Sequence, residues 1–205
     1  MRIFIAGASG VIGIRLLPLL VTAGHTVAAM TRSPGKAGRL RELGGEPVVC
    51  DVFDAGALTL AVTAFQPDVV FHQLTDLPDD AAQIAAFAAR NNRIRGEGTR
   101  NLIDAAAALR ARVIAQSISW EIPASSTATS EHERMVLGAP GVVIRYAELW
   151  GPGTYYESEP PAPPRIHVDD AARLTLPALD VPAGVTMVID DRGLGGSARG
   201  TGEQP

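Results

Sequence analysis

Residues 2–13 read Arg-Ile-Phe-Ile-Ala-Gly-Ala-Ser-Gly-Val-Ile-Gly, and this stretch decides the fold. The compact apolar run at residues 2–6 predicts a β-strand that ends at Gly7. The apolar spacing of residues 11–23 predicts a helix that ends at Gly24. Three glycines, each three residues after the last and lying between a strand and a helix, are typical of a loop that binds the pyrophosphate of a dinucleotide.

Each glycine of this loop has a predicted role. Gly7 permits the tight turn, Gly10 lets the backbone approach a pyrophosphate, and Gly13 lets the helix pack closely against the strand. The free N–H groups at the start of the helix then face the anion. The alternative is an ordinary glycine-rich turn. We expect the cofactor to be bound here by Gly7, Ser9, Gly10, Val11, Ile12 and Gly13.

Short apolar runs alternate with helical stretches along the first half of the chain. Further strands are predicted at residues 26–30, 47–50, 68–72 and 112–118, and a long or broken helix at 79–109. Strands separated by helices of about 10–15 residues indicate a parallel sheet of right-handed βαβ units. The predicted fold class is therefore α/β, a Rossmann-type doubly wound parallel sheet with a reduced C-terminal substrate lobe.

The pattern changes after Ser119. Residues 120–130 are rich in Ser, Thr and Pro and predict a loop. The next elements are a short helix around 130–138, a strand at 142–146, a Pro- and Gly-rich excursion at 151–164, a helix that opens at Val168 and a last strand at 185–189. We divide the chain into a dinucleotide-binding domain (1–150), a small substrate or lid segment with the last strand (151–190) and a disordered tail (191–205).

Composition and charge exclude several classes of protein. The 205 residues are 46% apolar, which is typical of a globular chain, and the net charge of −4 argues against a nucleic-acid-binding surface. The single cysteine, Cys50, excludes a disulfide framework and a multi-cysteine metal site, and no residue spacing suggests another metal site. No apolar run reaches the ~18 residues of a membrane span, and the apolar start is too short for a signal peptide. We expect a cytoplasmic protein without nucleic-acid or membrane partners.

The glycine loop resembles that of the short-chain dehydrogenase/reductase superfamily. The closest likeness is to its extended and atypical members, the NAD-dependent epimerase/dehydratase and NmrA-like group. Other stretches resemble the same family in the same order: residues 50–52, 69–74, 98–106, 145–146 with 151–153, and 167–170. The resemblance implies that Asp51 and Val52 end the third strand against the adenine, and that Gln73 and Leu74 end the fourth strand beside the cofactor.

The end of the second strand bears on the choice of nucleotide. An acid at this place selects NAD through the ribose 2′-hydroxyl, whereas an arginine accommodates the 2′-phosphate of NADP. Here the strand ends in Ala29-Met30-Thr31-Arg32-Ser33, with no acid in reach along the sequence. Arg32 offers a guanidinium fork, and Lys36 adds a point charge one turn later. We expect NADP(H) to be favoured over NAD(H), unless both cations are only a solvated surface pair.

The chain departs from the resemblance in its proton relay. Family members that transfer hydride use a Tyr-x-x-x-Lys pair on the helix after the fifth strand, where the lysine lowers the pKa of the tyrosine. Lys36 is the single lysine of this sequence, so no such pair exists. Ile122 falls at the tyrosine position in our reading, and the gap between the fifth and sixth strands has room for one short helix.

Several residues remain as tentative catalytic groups. One register places Ile118 at the family's catalytic hydroxyl, and a shift by one residue uses Ser117 or Ser119; both registers stay open. Glu121 is either a base at the pocket mouth or an exposed loop carboxylate. Tyr155 and Tyr156 lie in the excursion that should cover the nicotinamide end. Either a phenol enters the site there, or both rings pack as a lid.

We expect structural rather than catalytic roles for two histidines. His72 ends a buried strand and is expected to be a hydrogen-bonded core residue. His132 lies between Glu131 and Glu133, and we expect a solvated, charged helix face there.

Three functions are compatible with these observations. The first is an NAD(P)-binding, epimerase/dehydratase-like oxidoreductase that acts on a small organic substrate without the Tyr/Lys relay. The second is a non-redox cyclase, dehydratase or isomerase on the same fold, and the third is an NmrA-like nucleotide sensor or pseudoenzyme. The reduced second half makes a large sugar nucleotide a poor candidate substrate. Family dimers pack the fourth and fifth helices, and the fifth is short here, so a homodimer stays an open expectation.

Overall fold

A computed structural model describes residues 1–120 and 122–197. The strands are β1 (Arg2–Ala6), β2 (Thr26–Thr31), β3 (Glu46–Val49), β4 (Val69–His72), β5 (Arg112–Ile118), β6 (Val142–Tyr146), β7 (Glu148–Trp150), β8 (Arg165–His167), β9 (Thr186–Asp190) and β10 (Gly193–Ser197). The helices are α1 (Gly13–Thr22), α2 (Ala37–Glu42), α3 (Ala55–Phe65), α4 (Ile84–Arg93), α5 (Thr99–Ala107), α6 (Ser126–Gly138) and α7 (Val168–Thr175).

The main sheet has the order β10-β9-β6-β5-β4-β1-β2-β3 within the described ranges. Its pairs are parallel except for β10, which runs antiparallel to β9. The order reverses at β1, where Ala6 lies opposite Met30 of β2 on one side and His72 of β4 on the other. Ligands of such doubly wound sheets bind in the crevice beyond the carboxyl ends of the strands at this reversal point. The predicted Rossmann-type α/β class is confirmed.

The central strands β1, β2, β4 and β6 are largely buried on both faces, which explains their continuous apolar runs. Along β1, Ile3 and Ile5 pack towards α1 and α7, whereas Phe4 and Ala6 pack towards α3, α5 and α6. These four side chains have no exposed surface. The sheet is therefore rigidly held between two helical layers, and its carboxyl edge is a fixed platform for a site.

The segment between β5 and β6 differs from its prediction. Residues 120–130 are not one loop, because a 3₁₀ turn at Pro123–Ser125 leads into α6, which begins at Ser126 rather than near residue 130. The expected short helix is thus a helix of 13 residues. Proline at the first position of the turn suits helix initiation, and packing against β5 and β6 outweighs the low helix propensity of Ser and Thr.

The C-terminal part also differs from its prediction. The excursion at 151–164 is irregular, but β7 and β8 flank it and pair in parallel, from Glu148 with Arg165 to Trp150 with His167. The expected disordered tail contributes β10 to the main sheet, and the remainder of that tail, residues 198–205, lies outside the described residues. Strand β10 forms in a glycine-rich sequence because it pairs with the otherwise free edge of β9 through backbone hydrogen bonds, which do not require side chains.

Candidate active site

The predicted cofactor residues come together at the carboxyl edge of the sheet. Gly7, Arg32, Asp51 and Gln73 follow β1, β2, β3 and β4, which are neighbours in the sheet and run parallel. Their strand ends therefore lie side by side across the reversal point. This is the place at which a dinucleotide lies across a doubly wound sheet.

The glycine loop is closed so tightly that two of its glycines, Gly7 and Gly13, have no room for a side chain. Gly7 has a φ of +91°, and a Cβ there would lie 2.5 Å from the carbonyl oxygen of Gln73. A Cβ on Gly13 would lie 2.3 Å from the carbonyl oxygen of Gly7. At Gly10 the same distance is 3.3 Å, so a side chain is tight there but not excluded by the backbone. Helix α1 thus begins directly above the turn, with its free N–H groups over the loop.

Side chains fix this loop to the neighbouring strands. The hydroxyl of Ser9 lies 2.9 Å from that of Thr31 at the end of β2, and the N–H of Ala8 donates to the carbonyl oxygen of Met30 over 3.0 Å. Val11 is partly buried, and Ile12 is 4% exposed at the helix start. The loop is therefore held in shape without a ligand.

The adenine-side residues lie after β3 and β4. Asp51 is exposed, and its carboxylate accepts a hydrogen bond from the Phe53 N–H over 2.9 Å. Val52 is buried and presents an apolar side chain. Leu74 accepts a hydrogen bond from the Gln116 amide over 3.0 Å, so the segment after β4 is tied to β5. These places suit the roles that the family resemblance implies for them.

An acid that the sequence did not reveal lies beside Arg32. Asp76, in the segment after β4, is 6% exposed and accepts a hydrogen bond from Arg32 Nη2 over 3.1 Å. Arg90 of α4 holds the same carboxylate with two hydrogen bonds of 3.1 and 3.0 Å. The expectation that no acid lies in reach of Arg32 was wrong. Asp76 is 44 residues away in the sequence and comes beside Arg32 only through the fold. Both guanidinium groups remain about half exposed, so the trio carries one net positive charge towards solvent. Lys36 is exposed in the 3₁₀ turn that follows β2.

A second polar cluster lies between β5, β6 and α6. Ser117 donates to Glu133 Oε1 over 2.6 Å, and Arg145 Nε donates to the same oxygen over 2.8 Å. Glu133 is only 7% exposed. Burial opposes its ionisation, but the hydrogen bonds from Arg145 and Ser117 hold the pKa of the carboxyl below its ordinary value. Ser117 is therefore a buried donor to Glu133.

His132 and Glu133 do not lie on a solvated face, contrary to expectation. His132 is 1% exposed, and its Nε2 lies 2.9 Å from the Gln116 carbonyl oxygen, to which it donates. Its Nδ1 then accepts from the Thr99 hydroxyl over 2.7 Å, and Thr99 accepts from His72 Nε2 over 3.0 Å. His72 is a buried, hydrogen-bonded core residue, as predicted. This chain of hydrogen bonds, from His72 through Thr99 and His132 to Gln116, fixes each imidazole in one neutral tautomer.

These buried histidines make stability depend on pH. Burial lowers the pKa of His132 to about 4 and that of His72 well below its ordinary value. The unfolded chain therefore takes up protons below pH 6.5 that the folded chain does not. Between pH 6.5 and pH 5 we expect the free energy of unfolding to fall by about 2 kcal/mol from His132 alone. Urea unfolding at pH 7.5, 6 and 5 measures this loss.

Two variants separate this effect from other titrations. His132→Asn should lessen the dependence of stability on pH. Burial also lowers the pKa of His25, which lies at a partly exposed turn, so His25→Asn should lessen the dependence by a smaller amount. An unchanged slope in His132→Asn would show that the buried imidazole does not titrate as its surroundings require.

Helix α6 shows which residues face the end of β5. Glu133 contacts Ser117, so Thr129, one turn earlier on the same face of α6, lies towards Ser119 and the carboxyl edge, and Ser125 precedes it at the end of the 3₁₀ turn that leads into the helix. Ser125 is 5% exposed, and the Thr129 hydroxyl is buried. Two positions one turn apart are what a Tyr-x-x-x-Lys pair would occupy. They hold two hydroxyls here, and Ile122, assigned to the tyrosine position from sequence, precedes the helix altogether.

The remaining predicted catalytic residues are dispersed. The Ser119 hydroxyl is buried at the end of β5. Glu121 lies outside the described residues. Tyr155 donates to the Pro78 carbonyl oxygen over 2.6 Å, so the excursion contacts the segment after β4 in the manner of a lid. Burial, together with the nearby acids Asp79 and Asp80, raises the pKa of this phenol.

Sequence reasoning missed the charged residues that complete both clusters. Asp76 and Arg90, and likewise Glu133 and Arg145, acquire their partners through the fold. A signal was present for one of them. Arg145 lies on a strand that is otherwise buried, and a charge there requires a buried partner.

None of the helices in the described part of the chain combines the length and hydrophobicity that a membrane crossing requires. Likewise, no three His, Cys, Asp or Glu side chains of residues 1–120 and 122–197 meet in a group able to hold a metal ion.

Comparisons with known proteins agree with the fold and the glycine loop. The profile of the NAD-dependent epimerase/dehydratase family matches residues 3–140. A 3-diazoavenalumate denitrifying reductase of a Streptomyces species is 34% identical over 239 aligned positions, which cover 93% of this chain and 76% of the relative. Because 93% of 205 residues cannot fill 239 positions, that relative has internal residues that this chain lacks.

Two further proteins extend the comparison. A 4-hydroxy-2-methyl-3-oxo-4-farnesyl-3,4-dihydroquinoline-1-oxide ketoreductase of Stigmatella aurantiaca is 31% identical over 173 positions, covering 74% of this chain and 51% of the relative. The crystal structure of UDP-glucose 4-epimerase from Brucella ovis in complex with NAD superposes with a TM-score of 0.76 at 18% identity, covering 95% of this chain and 79% of that one.

Proposed function

The chain belongs to the NAD-dependent epimerase/dehydratase family, and from this we propose that it is an NADPH-dependent reductase of a small organic substrate whose reducible group needs no Tyr–Lys relay. The observation that carries the proposal is the helix face opposite β5. Ser125 and Thr129, four residues apart at the start of this face, carry hydroxyls with the spacing at which a relay would carry a phenol and an amine. Two relatives that match most of this chain are named as reductases, which favours redox chemistry over a non-redox role.

The residues at the sheet edge fit a dinucleotide. The glycine loop has the tight backbone turn that a pyrophosphate requires, and a Cβ at Gly7 or Gly13 would collide with the backbone of Gln73 or Gly7 and prevent the turn from closing. The start of α1 supplies N–H donors to the anion. Asp51 and Val52 suit the adenine, and Gln73 and Leu74 flank the middle of the cofactor. When bound, the nicotinamide supplies a hydride to the substrate.

We infer a preference for NADP(H) from the charges around Asp76. This carboxylate fixes the guanidinium groups of Arg32 and Arg90 while both stay about half exposed. Two fixed guanidinium groups with one net positive charge suit a 2′-phosphate better than a 2′-hydroxyl. Lys36 adds a further positive charge nearby in sequence.

The preference for NADP(H) should depend on both arginines. A charge-assisted hydrogen bond to phosphate contributes roughly 1.5–3 kcal/mol, so Arg32→Ala should narrow the ratio of NADH to NADPH dissociation constants by about 10- to 150-fold. Arg90→Ala should narrow it in the same direction. Calorimetric titration with both nucleotides measures the ratio. Arg39→Ala, at an exposed position on α2, is the matched control. Equal affinity of the wild type for the two nucleotides would contradict the assignment and would favour Asp76 as a partner of a ribose hydroxyl.

The substrate class follows from the missing relay. A ketone or aldehyde that receives hydride becomes an alkoxide and needs a proton donor in the transition state. A cationic electrophile is neutralised by the hydride and needs none. One relative is named for the reduction of a diazo compound, and a diazonium group is such an electrophile. We therefore propose a cationic or diazo-type group as the reducible part of the substrate.

Reduction of an arenediazonium ion tests this function. With 4-methoxybenzenediazonium, one hydride replaces dinitrogen, so that the C–N bond breaks, a C–H bond forms, and anisole and one dinitrogen arise per NADPH oxidised. We expect protein-dependent anisole formation above the rate measured without protein. An excess of NADPH oxidation over anisole, or no protein-dependent rate with bound nucleotide, would contradict a reductase and favour a nucleotide sensor.

A further inference from the structure

Three buried polar atoms lie around the end of β5 without a hydrogen-bond partner among the described residues. They are Nη1 of Arg95, Oγ of Ser119 and Oγ1 of Thr129. Arg95 belongs to the single π-helical turn at Ile94–Gly98 that joins α4 to α5. Such turns inside α-helices are frequent at functional sites. None of the three groups has a role in the cofactor cradle.

Their positions converge through the packing of α6. This helix returns along the sheet in the direction opposite to β5, so residues later on β5 face residues earlier on α6. Ser117 meets Glu133 at 2.6 Å, and therefore Ser119, two residues further on, faces Thr129, one turn earlier. The π-helical turn packs against α6, and the charge of Arg95 acts on Glu133. Helix α6 thus packs against both the π-helical turn and β5, so the elements that carry the three atoms are neighbours in the fold.

The described charges of this cluster do not balance. Arg95 and Arg145 are cations, and Glu133 is the acid that faces them. Glu133 is already engaged by two hydrogen bonds from Arg145 and by one from Ser117. Burial lowers the pKa of Arg95, and the charge of Glu133 offsets this effect only in part. The neighbouring His132 is held neutral and offers no charge. Among the described residues of this cluster, one positive charge thus remains for an anion.

The three residues are not sealed inside the protein. Arg95, Ser119 and Thr129 are each partly exposed as residues, although the three named atoms are buried. Ser119 follows β5 at the carboxyl edge of the sheet, where doubly wound folds hold their ligands. An unpaired buried donor costs about 1–3 kcal/mol, and binding an acceptor there would recover this.

We propose that Arg95, Ser119 and Thr129 form a carboxylate-binding site that anchors an anionic end of the substrate. A carboxylate has two oxygens that accept about four hydrogen bonds, which suits one guanidinium N–H and two hydroxyl donors. The assignment to substrate rests on the proposed reductase function. The anion site itself does not, because its residues are separate from those of the nucleotide cradle.

Matched acid and amide ligands test the site. We expect trans-cinnamate to bind the protein about 10- to 150-fold more tightly than trans-cinnamamide, measured calorimetrically with and without NADP⁺. In Arg95→Gln this ratio should fall to near one, and in Arg95→Lys part of it should return. Arg93→Gln is the matched control, because Arg93 lies two residues earlier and pairs with Glu97 at the surface. The control should keep the wild-type ratio.

The outcomes separate this site from the proposed function. Equal binding of acid and amide by the wild type, or a ratio that survives in Arg95→Gln, would overturn the site. A weaker affinity for NADPH in Arg95→Gln with an unchanged ratio would assign Arg95 to the cofactor and also overturn it. Failure of NADPH to bind the wild type would refute the reductase alone. Thermal unfolding controls for misfolding: removal of an uncompensated buried charge should not lower the melting temperature.

Discussion

Gly10→Asp should weaken NADPH binding by at least about 100-fold, which corresponds to about 2.7 kcal/mol, and should leave the protein folded. The new carboxylate would occupy the place of the pyrophosphate and repel its charge at the start of α1. The fold should survive, because a Cβ on Gly10 lies 3.3 Å from the Gly7 carbonyl oxygen and needs only a small adjustment. Calorimetric titration with NADPH measures the affinity, and circular dichroism reports the fold.

Two other glycines serve as controls for this experiment. Gly138→Asp adds the same side chain into open space at the end of α6 and should bind NADPH as the wild type does. Gly13→Val should instead destabilise the fold itself, because its Cβ would lie 2.3 Å from the Gly7 carbonyl oxygen. Gly13 is therefore unsuitable for isolating binding from stability. Wild-type affinity in Gly10→Asp would refute the dinucleotide loop.

Reduction of an aldehyde should be slow even with saturating NADPH. General acid catalysis typically contributes about 10²–10⁴-fold to such a step, and the α6 face opposite Ser119 offers neither a phenol nor an amine. Burial raises the pKa of Tyr146 to about 12 and also raises that of Tyr155, so these phenols are poor proton donors near neutral pH, and an arginine does not exchange its proton. We expect single-turnover reduction of 4-methoxybenzaldehyde to be about 10²–10⁴-fold slower than that of 4-methoxybenzenediazonium, after subtraction of the rate without protein.

Lys36 provides the internal control for this prediction. It is exposed after β2 on the adenine side, so Lys36→Met should raise the dissociation constant of NADPH and leave the single-turnover rate at saturation unchanged. Fast aldehyde reduction that falls in Lys36→Met at saturating NADPH would contradict the account, because it would place the lysine in the chemical step.

The parts of the fold that follow from local sequence were predicted well. The glycine loop and most of the parallel strands β1 to β6 are evident from continuous apolar runs between helical patterns, because β1, β2, β4 and β6 are largely buried on both faces. Strand β10 was not predicted, because its glycines have low strand propensity and the strand forms only by pairing with the open edge of β9. The start of α6 escaped for a similar reason, because tertiary packing overrides the preferences of Ser and Thr.

The charged clusters show why a site is harder to predict than a fold. His132 and Glu133 lie in a run of six polar residues (129–134), which predicts a solvated face, yet β5, β6 and α5 supply their partners Gln116, Arg145 and Thr99. These partners lie 12 to 33 residues away in the sequence. Long-range pairing is a property of the folded sheet and leaves no periodic signal in the chain.

Native mass spectrometry of the protein mixed with equal concentrations of NADPH and NADH tests the central claim most directly. The account predicts one bound nucleotide per chain, with NADPH in clear excess over NADH, and loss of both complexes in Gly10→Asp. Absence of any nucleotide complex in the wild type would contradict the account, and so would NADH bound as readily as NADPH.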